Sequence, residues 1–479
     1  MTIVKPALTI LNDEQKVYLH AGTLQVLQQT GVRVDAADAR ALFRQAGCRV
    51  HDDHRVTFPG ELVEWAISAA PAAIDIYDRN GEPAFQLGNT GGHPTRFGIG
   101  VTNLYYQDPA TDRLIPFERR HVAAAALLGQ VLPAFDVVST PGVLKSLPPL
   151  KGETLCLLEM MANTVKPLIL LVSDHTAFRP VLDLAAHLGP TLPEKPFLLP
   201  YINPITPLVI NRETSQKAMI TIESGLPLIY SNYGMSGATA PITAAGTLAV
   251  LNAELLAGLT LSQLVRQGAP VVLGSLPAVF HMRHMEQTYT EQTMLLNLAC
   301  AEMMAHYDLP HIGTSGSGPG WGPDLIAAGL LWMNHLTTCL GKVGLAPFVG
   351  GNLGSIVFSP ASVVWSDDII RQSLRFANGF SMDAAALGLE EIHHVGPGGD
   401  FLTAQSTLAR CREESGGSGI WPLLSCAQWL EQGMPRAEAR LKAHTAELLR
   451  HAAPPADHRA VLEQGEAFIH HLRDKHQKE

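Results

Sequence analysis

Apolar and polar positions fall into two regimes along the chain. Through the first 90 residues they follow helical spacing in short blocks. Asn12 and Gln15 form a capping box, Val17, Ala21 and Leu24 recur on one face, and Gly31 stops that helix. A second helix over 36–47, a short strand near 56–58, a third helix over 61–69 and a turn at 78–82 (DRNGE) complete an accessory region, residues 1–90. Short β-rich runs then recur at 96–101, 135–140, 167–173, 197–203, 227–232, 270–275, 310–315 and 347–352. Most are near-continuously apolar, as parallel strands buried on both faces require. Helical text separates them. It is clearest over 244–265, where Leu248, Leu251, Leu255, Leu259 and Ser262 keep three-four spacing while Glu254 and Gln263 fall off the stripe. Eight such alternations predict the α/β class, a (β/α)8 TIM-type barrel over residues 91–424. Residues 425–479 form a charged helical extension, punctuated by Pro454 and Pro455.

Composition narrows the function classes. The chain has 479 residues, 46% hydrophobic and 16% charged, which excludes a disordered or disulfide-scaffold protein. Forty-four acidic against 34 basic residues leave a formal charge of −10, with no global attraction for nucleic acid or anionic lipid. The six cysteines lack CxxC spacing and read as buried free thiols in a reducing cytoplasm, and no signal peptide is evident at the N-terminus. Two uncharged stretches, 224–253 and 343–366, are broken by Pro, Gly, Asn and Ser, which fits buried barrel text better than a membrane span. The lean charge and apolar helices favour a homo-oligomer.

Candidate chemistry gathers where the strands end. Thr140, Ser173, Asn203, Asn232, Ser275, Ser315 and Asn352 close seven of the runs, at the end where barrels of this kind build active sites. Aromatic residues are only 6% of the chain, yet Phe97, Tyr105, Tyr106, Tyr201, Tyr230, Tyr233, Trp321 and Phe348 lie at or near those ends. Converging ring faces hold a quaternary ammonium without donating a proton to it, whereas the same rings one by one read as core packing. The run 313–322 (GTSGSGPGWG) is a glycine loop after the seventh strand, open to a phosphate or to the close approach of a large partner or cofactor. His281 with His284 and the adjacent His393 and His394 lack the further ligands a zinc site needs, so no metal site is expected. His311 and His335 are better placed, near the seventh strand and on the helix after it. Serine-hydrolase elbow, HExxH and dinucleotide fingerprints are all missing.

One long stretch carries a resemblance. Residues 233–275 (YGMSGATAPITAAGTLAVLNAELLAGLTLSQLVRQGAPVVLGS) closely resemble the core signature of the trimethylamine methyltransferase family. Residues 11–34 (LNDEQKVYLHAGTLQVLQQTGVRV) with Asp78 and Arg79, 108–120 (DPATDRLIPFERR) and 395–402 (VGPGGDFL) resemble other parts of it. The resemblance implies a barrel enzyme passing a methyl group from an amine to a corrinoid (cobalamin) carried by a cognate partner protein. The trimethylamine enzymes proper carry pyrrolysine; this sequence has only standard residues, and its glycine loop stands in place of the text around that site. The departure points to the non-pyrrolysine branch, which includes glycine betaine methyltransferases. A quaternary amine already bears the charge that makes a neutral amine the leaving group, so orientation, a cation cage and exclusion of water suffice.

The expected reaction is methyl transfer from glycine betaine to Co(I), leaving dimethylglycine, with carnitine, γ-butyrobetaine and proline betaine as alternatives. No side chain is assigned as a catalytic acid or base. Position places Phe97, Tyr201, Tyr230, Trp321 and Phe348 in the cage, with His311, Asn203 and Asn352 as donors to the substrate carboxylate. Rival readings are a non-catalytic betaine-binding barrel and a Schiff-base barrel using Lys166, Lys195 or Lys342.

Overall fold

The computed structural model describes residues 3–88, 94–100, 102–318, 320–414 and 416–476. Its centre is eight strand–helix units. They are β1 (Arg96–Ile99) with α1 (Arg119–Val131), β2 (Val137–Ser139) with α2 (Pro149–Asn163), β3 (Leu168–Leu170) with α3 (His175–Leu188) and β4 (Leu198–Ile202) with α4 (Arg212–Glu223). The second half is β5 (Leu228–Ser236) with α5 (Ala244–Val265), β6 (Val271–His281) with α6 (Glu291–His306), β7 (His311–Ile312) with α7 (Leu325–Leu340) and β8 (Leu345–Val349) with α8 (Pro360–Asn378). Sequential strands are parallel neighbours, and β8 returns to β1 with Leu345 beside Arg96, so the sheet closes. The (β/α)8 barrel read from the sequence is the fold.

Strand ends differ from the sequence reading. β5 and β6 run on past Asn232 and Ser275 as a paired ribbon to Ser236 and Val279, so those two polar residues lie within strands. β7 is only two residues long, and β8 starts earlier and stops at Val349. Val101 and Pro319, inside two of the runs read from the sequence, lie outside the described residues.

Side-chain alternation divides each strand. Val137, Ile169, Leu199, Ile229, Val272, Ile312 and Leu345 face the lumen as one apolar layer, one residue from each of β2 to β8. Their neighbours Val138, Leu168, Leu198, Leu228, Val271 and Ala346 face the helices. The helix α5 is apolar all round rather than striped: even Glu254 and Gln263 are buried. It is the one described helix long and apolar enough to cross a membrane, and 78% of its apolar window is buried against the protein. Glu254 is held by the Thr206 hydroxyl (2.8 Å), the Leu208 N–H (2.6 Å) and the Asn232 amide (2.7 Å). Burial raises its pKa, and these three bonds oppose that rise.

The flanking regions lock onto this core. Asn12 caps the helix Asp13–Gln25 and Gln15 returns the bond, as the capping box requires. The N-terminal region also holds a small sheet, in which Val32–Val34 pairs with Arg55–Thr57 and with Val209–Ile210 from the β4–α4 connection. The hairpin Ala73–Tyr77 with Pro83–Gly88 pushes Ile74, Ile76 and Leu87 into the lumen layer and closes the barrel at the strands' N-terminal end. At its turn, buried Arg79 makes a bidentate pair with Asp457 (2.6 and 2.8 Å). That pair ties the plug to the helix His458–His476, which packs on α2 and α3.

Candidate active site at the barrel mouth

Above the aliphatic layer the lumen changes character. Tyr201 near the end of β4 and Phe348 of β8 meet edge to face, centroids 5.1 Å apart and planes at 83°. The Tyr201 hydroxyl donates to Ser231 Oγ (3.0 Å), and the Asn203 amide donates to the Tyr201 oxygen (3.1 Å) and to the Ser231 carbonyl (2.8 Å). One step farther along β5, Tyr233 has the parity of lumen residues Ile229 and Ser231. Its phenol lies near that of Tyr289, and the Tyr233 hydroxyl is buried without a hydrogen-bond partner among the described residues. Burial holds all three phenols protonated: Tyr201 is pushed up to about 12, and Tyr233 and Tyr289 are raised as well.

The glycine loop forms the roof. Gly318 N–H donates to the Gly351 carbonyl (2.9 Å), Gly354 N–H to the Gly318 carbonyl (3.1 Å) and Leu353 N–H to the Gly320 carbonyl (3.0 Å). Gly318 has φ +105°, and a Cβ there would overlap the Tyr289 ring, so only glycine lets the loop lie on that tyrosine. Gln107 donates to the Trp321 carbonyl (3.0 Å) and Asn103 to the Ser355 carbonyl (2.8 Å). Gln107 Oε1 and Asn103 Oδ1 are buried acceptors without a hydrogen-bond partner among the described residues. Over the ends of β1 to β3 opens a cavity of about 700 Å³ that includes Thr140, Leu171, Glu153, Asp174 and Glu213 in its lining. Glu153 accepts the Ser173 N–H (2.9 Å), and burial raises its pKa. With three carboxylates against Lys145 and His175, the cavity favours a cationic occupant.

The eight residues selected from sequence divide. Tyr201, Phe348 and Asn203 come together at the mouth, and Trp321, 71% exposed, stands on the rim. Phe97 is turned outward and meets His335 of α7 edge-on at 5.8 Å. Tyr230 also points outward and lies flat against Gly258 of α5, where a Cβ has no room. His311 opens β7 at the end away from the mouth, its Nδ1 3.1 Å from the Leu309 carbonyl. Asn352 spends its amide on Ser362 (3.0 Å) at the start of α8. These four therefore do not line the mouth, because strand alternation or a helix start claims them. Of the polar strand ends, Asn232 and Ser315 also face helices, the latter through the His335 Nδ1 contact at 2.7 Å. His335 is buried, and desolvation pushes its pKa down to about 3. Tyr289 and Gln107 were missed. The available signals were Tyr289's place directly before the Thr290 cap of α6 and Gln107's place directly before the 108–120 stretch.

The family model described as trimethylamine methyltransferase (MTTB) matches residues 2–476. The chain belongs to that family. It is similar to trimethylamine methyltransferase MttB of Desulfitobacterium hafniense (strain DSM 10664 / DCB-2), 29% identical over 409 residues, covering 84% of this chain and 82% of that protein. It is also similar to the glycine betaine methyltransferase of Desulfitobacterium hafniense (strain Y51), 26% identical over 475 residues and 97% of each chain. Among solved structures, the Methanosarcina barkeri monomethylamine methyltransferase (MtmB) aligns with a TM-score of 0.51 at 10% identity, covering 92% of this chain and 93% of that one. At that identity the likeness establishes the barrel fold alone. Fold and family agree on an amine methyltransferase built on a TIM barrel.

Proposed function

We propose that this protein moves a methyl group from a quaternary amine, first of all glycine betaine, to a corrinoid carried by a partner protein, leaving dimethylglycine. The observation that carries this reading is the inward aromatic set Tyr201, Phe348, Tyr233 and Tyr289 beside a cavity lined by carboxylates. Full-length similarity to a glycine betaine methyltransferase and a sequence of standard residues only support it. The rings present negative faces to the trimethylammonium head without offering a proton. Tyr233 and Tyr289, protonated throughout the working range, donate to the substrate carboxylate, a role the sequence reading gave to His311, Asn203 and Asn352. The roof made by residues 316–318 and 320–322 excludes water and holds the N–CH3 bond toward the opening.

A corrinoid docked over the mouth supplies the nucleophile, and the exposed apolar rim of Trp321, Leu325, Met282 and Ile356 fits a broad flat macrocycle. No proton moves in the step, consistent with a mouth whose phenols stay neutral. The cytoplasm suits six free thiols, although Cys411 and Cys426 are exposed rather than buried.

The Schiff-base alternative has little support. Lys166 donates to the carbonyls of Gly129, Leu132 and Phe135 (2.6, 3.0 and 2.6 Å), and Lys195 to that of Gly81 (2.8 Å). The deciding experiment mixes the protein anaerobically with a reduced corrinoid protein and a panel of betaines, following the corrinoid absorbance. Conversion with glycine betaine and none with trimethylamine is the expected result. Silence across the panel, with the corrinoid protein active toward a control enzyme, overturns the proposal.

A further inference from the structure

After α8 the chain leaves the barrel and builds a lobe without a core. From residue 379 to 418 no described residue is buried, and as far as Arg440 only Ile420 is. The lobe consists of short helices, Ala384–Leu387, Leu389–Val395, Gln405–Glu414 and Cys426–Glu431, joined by glycine-containing turns. Large apolar side chains nonetheless stand open on it. Leu387 is 51% exposed, Leu389 56%, Ile392 48%, Phe401 43%, Leu402 77% and Leu408 66%. The segment 384–410 folds around an open cleft of about 1700 Å³, both of whose walls come from that one stretch of chain. It is attached at its two ends: Phe380–Ser381 pairs with Ile3–Val4 over two exposed residues, and Ile420 with Trp421 packs on the barrel core, Trp421 edge-on to Trp365 of α8.

Such a lobe does not hold itself. Helices of four to ten residues are marginal in water without a packed face, and this many open apolar side chains in one short segment mark a contact surface. The open part of these side chains comes to roughly 600 Å², the low end of the share one partner gives to a stable interface. The cover must be present whenever the chain is folded, because the segment 384–410 has no core of its own. A second copy of the chain meets that condition by stoichiometry, whereas a partner that comes and goes leaves the lobe bare in between. We propose that the 380–434 lobe is the interface of a homodimer, in which each copy's lobe covers the apolar face of the other. An apolar patch that meets its own copy across a two-fold axis closes the assembly at two subunits. The lobe starts from the C-terminus of α8, at the barrel end opposite the mouth. This inference is independent of the methyl-transfer reading.

The test is the solution mass of the full chain by light scattering at micromolar concentration. Twice the 51.5 kDa subunit is expected for the native protein. The doubly substituted Leu402→Glu, Leu408→Glu chain is expected at the subunit mass with the barrel's circular dichroism retained. Tyr18→Glu, on the exposed face of the N-terminal helix, is expected to leave the dimer intact. A native chain running as a monomer overturns the proposal, as does a double variant of unchanged mass. Hydrogen exchange keeps the test decisive if the double variant misfolds. Amides of 384–410 in the native protein are expected to be protected, and exchange at the rate of free coil overturns the proposal.

Discussion

The two ends of the barrel lumen are made by the same eight strands and finished in opposite ways. At the closed end, seven aliphatic side chains meet three more from the hairpin plug, all apolar. At the open end the strands contribute phenols, a hydroxyl and an amide, while Gln107 Oε1 and Asn103 Oδ1 are buried without partners. Burial without polar atoms gives stability from dispersion and water exclusion alone. Buried polar groups lacking partners lower stability, and those at the mouth are free to take a ligand's hydrogen bonds. The difference separates the part of the barrel that maintains the fold from the part available for chemistry.

The largest effect expected from this contrast is on stability at the closed end. Leu199→Ala should cost about 2–5 kcal/mol by opening a cavity in the aliphatic layer, read by chemical denaturation. A loss below about 1 kcal/mol would mean the layer is not the closed core described.

Next comes the pair of tyrosines three residues apart on β5. Tyr233→Phe removes a carboxylate donor from the mouth and should lower kcat/KM for glycine betaine by roughly 10- to 100-fold with little change in Tm. Tyr230→Phe removes a buried hydroxyl that has no partner and should change neither. Equal kinetic effects from the two would break the inward–outward assignment.

The smallest effects concern pH. Burial raises the phenols of Tyr201, Tyr233 and Tyr289, so all three stay protonated through neutrality. The rate of methyl transfer should therefore be flat from about pH 6 to 9, judged against unperturbed phenols that titrate near 10. A bell centred near neutrality would point to a proton-transferring group. At the closed end, the hydrogen bond from Arg79 lowers the pKa of Asp457. A depressed carboxylate gives stability that is present above its unfolded pKa and lost as pH falls through the folded value. The Asp457→Asn protein should lack this contribution to acid destabilisation below about pH 4, a modest change because the carboxylate is partly exposed.

Element order was legible because helix and strand periodicities differ, and because buried parallel strands are written as short apolar runs. All eight runs overlap barrel strands. The orientation of individual side chains was not. Both faces of a parallel barrel strand are buried, so Tyr230 and Tyr233 read alike, and nothing local says which parity looks inward. The same ambiguity admitted Phe97 and His311 to the site and left out Tyr289. Asn352 looked available because its partner Ser362 becomes a neighbour only once the loop before α8 is folded.

The sequence by itself therefore determined the barrel, its family and its class of chemistry, since these rest on periodicity and long stretches of text. Tertiary structure decided which rings share the mouth, which polar groups are already spent and which apolar residues are left uncovered. Those facts depend on strand register, on closure of β8 against β1 and on contacts between residues far apart in the chain, which no local pattern encodes.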